Sequence, residues 1–72
     1  MTVGDLCSIA SSGGGLILDS SKFTAGDLRS IVSSASSKNA TIYLKNISKF
    51  TPGDLRSIAS SGNGTVVFDF TE

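Results

Sequence analysis

"FTPGDLRSIASSG" (residues 50–62) decides how this chain is read, because the chain spells it more than once. A near-copy, "FTAGDLRSIVSS", runs from 23 to 34, and a shortened one, "MTVGDLCSIASSG", occupies 1–13. In every copy a Thr is followed three residues later by an Asp: Thr2 and Asp5, Thr24 and Asp27, Thr51 and Asp54. A Thr at an N-cap accepts from the N–H three residues on. A carboxylate there can reach back to the Thr N–H, so the phrase predicts a capped helix start. Pro52 falls on the first helical position, where its missing N–H costs nothing. The residues before the caps, Met1, Phe23 and Phe50, are placed to pack on Leu6, Leu28 and Leu55 as hydrophobic staples.

Beyond each start, apolar residues keep helical spacing: Leu6, Ile9 and Ala10; Leu28, Ile31, Val32 and Ala35; Leu55, Ile58 and Ala59. Each set forms one narrow stripe for burial. Gly13 and Gly62 predict left-handed C-caps on the first and third helices, and the middle helix is expected to run to near Asn39. A short β-prone run follows each helix: "LILD" (16–19), "TIYLK" (41–45) and "TVVFDF" (65–70). Period-two alternation sends Leu16, Ile42 and Val66, with Leu18, Leu44 and Phe68, to one face under the helices. Ile17, Tyr43 and Val67 point the other way, with Asp19, Lys45 and Asp69. The predicted fold is α/β. One domain, 1–72, holds three α-β repeats (1–22, 23–49, 50–72), with a three-stranded parallel sheet in order 1-2-3 and helices on one face. Its crossovers are right-handed. One such unit cannot bury its apolar face alone, which explains a short chain that repeats it.

Read from the strand, "LILDSSKFTAGDLRSIVSSASSKNA" and "IYLKNISKFTPGDLRSIASSGNG" resemble the leucine-rich repeat of the ribonuclease-inhibitor-like type. Leu16-Ile17-Leu18 and Ile42-Tyr43-Leu44 stand where the strand leucines would. Phe23 and Phe50 stand for the apolar residue before the helix, and Leu28/Ile31 with Leu55/Ile58 for the helix positions. Ser21 and Ile47 stand where that family carries Asn. The resemblance implies a minimal solenoid, protein binding through the strand face, and no cofactor.

Composition narrows the function classes. A 72-residue domain has a small core and marginal stability. Six basic and six acidic residues cancel, which removes the counterion-release drive for nucleic acid and the attraction to anionic membrane. No apolar run reaches the roughly 18 residues of a membrane span. No leader is visible and Cys7 is the lone cysteine, so a cytoplasmic protein is expected. The chain has no His, the commonest base near neutral pH. Cys7 reads as a surface thiol on the solvent side of helix 1, in the column of Arg29 and Arg56. "SSGGGL" (11–16) lacks the Lys-Ser/Thr of a phosphate loop and leads out of a helix rather than into one. Asp19 and Asp69 flank Lys45 and predict a weak salt-bridge row rather than a metal site. No catalytic, cofactor or metal residue emerges, and a non-enzymatic protein is expected.

Interaction residues remain. Ile17, Tyr43 and Val67 form an apolar row on the face without helices, and parallel sheets are normally covered on both sides. Phe70 extends the apolar character of strand 3, an edge open to pairing. Arg29 and Arg56 take equivalent places on neighbouring helices and could meet an acidic partner. These features predict a protein-interaction or self-assembly module, its partner a second copy joined in a homodimer through strand 3 or the bare sheet face. The alternative is a small regulator or inhibitor of another protein, of the immunity or antitoxin kind. Nucleic-acid binding through the Arg29/Arg56 face is a third reading, opposed by the neutral charge.

Overall fold

A computed structural model describes residues 1–71. The elements are α1 (Val3–Ser11), β1 (Leu16–Asp19), a 3-10 turn (Ser20–Lys22), α2 (Ala25–Ser36), β2 (Ile42–Lys45), α3 (Pro52–Gly62) and β3 (Val66–Phe68). Both halves of the cap form in all three helices. Asp5 N–H donates to Thr2 Oγ1 at 3.1 Å, and Thr2 N–H donates to Asp5 Oδ2 at 3.0 Å. The equivalent pairs are 3.1 and 3.2 Å at Thr24/Asp27 and both 3.2 Å at Thr51/Asp54. Each cap carbonyl then accepts from the following Leu N–H (Leu6, Leu28, Leu55) at 3.1 Å, the first helical bond of each element.

The staple does not form in the first repeat. Met1 is 92 % exposed, whereas Phe23 and Phe50 pack against the core. Leu6 is buried without Met1, in the layer shared with α2 and the sheet. Gly13 follows α1 at φ +100°, as a glycine turn should. In α3 the left-handed residue is Asn63 (φ 48°), not Gly62. Gly62 is the last helical residue, and Val66 crosses close above it. A Cβ there would overlap Val66 Cγ2 and lie 3.2 Å from Val32 Cβ. The middle helix ends at Ser36, one residue past its last apolar position, Ala35, and three short of the expected stop at Asn39, where the chain turns out at φ 54°.

The three strands form one parallel sheet in the order β1-β2-β3. Leu16, Ile42 and Val66 are in register, as are Leu18, Leu44 and Phe68, and both rows lie under the helices. Leu28, Ile31, Val32, Ala35, Ile42, Leu44 and Ile58 are fully buried, so the middle repeat supplies most of the core. Burial of one Leu, Ile or Val side chain is worth about 1.5–3 kcal/mol. β3 is shorter than the apolar run "TVVFDF" suggests. Asp69 N–H still donates to Leu44 C=O at 2.9 Å, but its carboxylate accepts the Thr71 N–H at 2.8 Å and turns the chain out of the ladder.

The links from strand to helix differ by one residue. "SSKF" (20–23) aligns with "ISKF" (47–50), leaving Asn46 as the insertion, held at φ 55°. Ser20 therefore takes the buried place that Ile47 takes one repeat later. The Ser20 hydroxyl is fully enclosed and has no hydrogen-bond partner among the described residues. An orphaned buried donor costs about 1–3 kcal/mol.

Two outcomes follow for stability. Thr51→Ala removes one half of a cap and should lower unfolding free energy by about 0.5–2 kcal/mol in urea titration. Ser20→Ala removes the orphaned hydroxyl and should raise it by about 1 kcal/mol, the lower end of that penalty.

Candidate interaction surface

Successive side chains of a strand alternate faces, so fixing Leu16 and Leu18 inward fixes Ile17 outward. Register places Ile17, Tyr43 and Val67 side by side across the three strands. They are 71, 47 and 40 % exposed, an apolar row on a parallel sheet with no second layer over it among the described residues. Next along the same face, Asp19 lies in register with Lys45.

Asp19 anchors the chain leaving β1. Its Oδ1 accepts from the Ser21 hydroxyl at 2.6 Å, the Ser21 N–H at 3.0 Å and Asn46 Nδ2 at 3.0 Å. The bond from the Ser21 hydroxyl, then that from Asn46, then that from the Ser21 N–H hold its carboxyl below the usual carboxylate value. The inserted Asn46 thus ties the second strand-to-helix link to the first. Lys49 repeats the theme, with Nζ donating to Ser21 C=O at 3.1 Å while lying 5.1 Å over the Phe50 ring.

Phe70 does not join the row. It is exposed on the helix side, where it lines a groove of about 310 Å³ with Ile47, Phe50, Pro52 and Leu55. Its ring sits 6.4 Å from that of Phe68, tilted by 56°. The groove went unrecognised in the sequence, although alternation through Val66 and Phe68 already puts Phe70 on the helix side. Arg29 and Arg56 occupy matching positions, the fifth residues of α2 and α3, the first half-buried and the second exposed. They belong to the helix layer. The structure thus brings Ile17, Tyr43 and Val67 together and separates Phe70, Arg29 and Arg56 from them. Cys7 differs from its expected place on the solvent side of the helix. It is half-buried and packed against the core, and Arg29 in the same column is half-buried too.

Among the described residues no three His, Cys, Asp or Glu side chains gather as metal ligands, and no helix is long and apolar enough to cross a membrane. The chain matches no family model, no curated protein and no solved structure.

Acid should expose the carboxylate bonds. Asp5, lowered by the Thr2 N–H first and then by the Thr2 side chain, and Asp19, lowered by Ser21 and Asn46, both sit below the usual carboxylate value when folded. A depressed folded pKa stabilises above the unfolded value and is lost as pH falls through the folded one. Melting temperature should therefore hold from about pH 7 to about pH 5 and fall below about pH 4. Asp19→Asn should make that acid limb shallower in a pH series of thermal melts.

Proposed function

We propose that the protein is a non-enzymatic interaction module of leucine-rich-repeat type, acting in the cytoplasm, and that it self-associates as a homodimer through the bare sheet face. One observation carries this reading: Ile17, Tyr43 and Val67 form a continuous apolar row on a parallel sheet, a kind of sheet that proteins cover on both faces. Two such rows pressed together about a two-fold axis would each cover the other. Strand-face binding is also what the family resemblance implies. The molecule measures 28 × 24 × 21 Å, so one face approaches but does not exceed the roughly 800 Å² per partner of a standard interface. The dimer is accordingly one of modest affinity. A charge in the middle of the row would have to be desolvated without a partner, which defeats association.

Light scattering at tens of micromolar should give a mass above that of the monomer for the wild type. Val67→Lys should return it to the monomer with an unchanged far-ultraviolet circular dichroism spectrum. A monomeric wild type overturns the dimer, and a dimer indifferent to Val67→Lys moves the contact off this face.

A further inference from the structure

The two ends of the molecule are halves of one contact. In the middle repeat Leu28, Ile31, Val32 and Ala35 are all fully buried, because that repeat has a neighbour on each side. In the first repeat Leu6 and Ala10 are buried while Ile9 is only half covered. In the third repeat the pattern inverts: Ile58 is fully buried, and Leu55 and Ala59 are half covered. The Ile column therefore packs toward the preceding repeat and the Leu-Ala/Val column toward the following one. Inside the chain this arrangement occurs twice: Ile31 is fully buried with α1 packed before it, and Ile58 is fully buried with α2 packed before it. What is left over is a half-covered Ile9 flank, with Gly14 close against the Ile9 side chain, and a half-covered Leu55/Ala59 flank.

We propose that copies of this chain dock end to end, the α1/β1 end of one on the α3/β3 end of the next, continuing the repeat stack across molecules. The occupant of each half-covered flank is a second copy because the contact is continuous with the interface between repeats already present. The sheet supports the same step. Leu16 N–H donates to Thr41 C=O at 3.1 Å, and Ile42 N–H donates to Thr65 C=O at 2.8 Å. The next member of that series is Val66 N–H on the Gly15 C=O of the following copy. A two-fold pairing of β3 edges would instead cover Leu55 and Ala59 in both molecules and leave Ile9 half covered in both. A heterologous contact covers both flanks in every copy but those at the ends of an open stack. Terminal repeats of solenoids need polar outer flanks to stay single, and here neither flank is polar at these positions.

The test uses Ser8 and Ser57, exposed and equivalent positions on α1 and α3. A Cys7→Ser, Ser8→Cys, Ser57→Cys chain in a Tyr43→Lys background puts the charge on the central strand, away from both ends, so the face dimer is removed and the end contact is read alone. A bismaleimide spanning about 10 Å matches the spacing of packed helices. Within one chain the two thiols are two helix spacings apart, beyond its reach. End-to-end docking should give a ladder of cross-linked dimers, trimers and larger species on denaturing gels. Each single-thiol chain should give only monomer, and adding Ala59→Arg should abolish the ladder while circular dichroism keeps its form. Dimers from the Ser57→Cys chain alone would establish the two-fold alternative, and monomer from the double-thiol chain would exclude docking. Either outcome overturns the proposal.

Discussion

The reciprocal hydrogen bonds between Thr and Asp at each helix start set the phase of everything that follows. The cap fixes which residue becomes the first helical one. The Leu four places on then falls at the same angle in α1, α2 and α3. Because all three helices begin alike, they present the same stripe, and the Ile of one meshes with the Leu and Val or Ala of its neighbour. Each cap contributes only about 1 kcal/mol, far less than the core. Yet helices of 9, 12 and 11 residues are marginal by themselves. A slip of one residue would turn the stripe by about 100° and strand it in water.

The rest of the helix surface asks little of any partner. Serine hydroxyls on the exposed faces donate back to carbonyls of the preceding turn. Examples are Ser12 to Ser8, Ser34 to Ser30 and Ser61 to Ser57, each at 3.0 Å. Such bonds satisfy the side chain locally and leave a neutral, small-residue coat. Against that coat the three apolar residues on the open sheet face and the unmatched flanks at the ends stand out chemically.

Most of the architecture was legible in the sequence because it is periodic twice over. The Thr-x-x-Asp phrase placed the helices, and the two-residue alternation after it placed Leu16, Ile42 and Val66 in one row and Ile17, Tyr43 and Val67 in another. What was not legible depends on neighbours in space. Ser20 looks like any of the chain's serines until the one-residue insertion at Asn46 is seen to align it with Ile47. Gly62 reads as a helix stop, but it is needed for the close approach of Val66, and the left-handed turn falls on Asn63. Cys7 sits in a column of arginines and reads as solvent-facing, but that column is half-buried in both α1 and α2. Phe70 reads as strand until the Asp69 carboxylate captures the Thr71 N–H.

The position of β2 between its two neighbours has a consequence in time as well as in space. Its backbone is paired along both edges, and its helix is the longest of the three. Repeat arrays behave as one-dimensional chains in which each unit holds only its neighbours. Opening of the first or third repeat breaks one seam, whereas opening of the middle one breaks two. The molecule should therefore fray inward from its ends and melt last at its centre. Its most protected amides would be those of Ile42 and Leu44, exchanging only when the whole array comes apart.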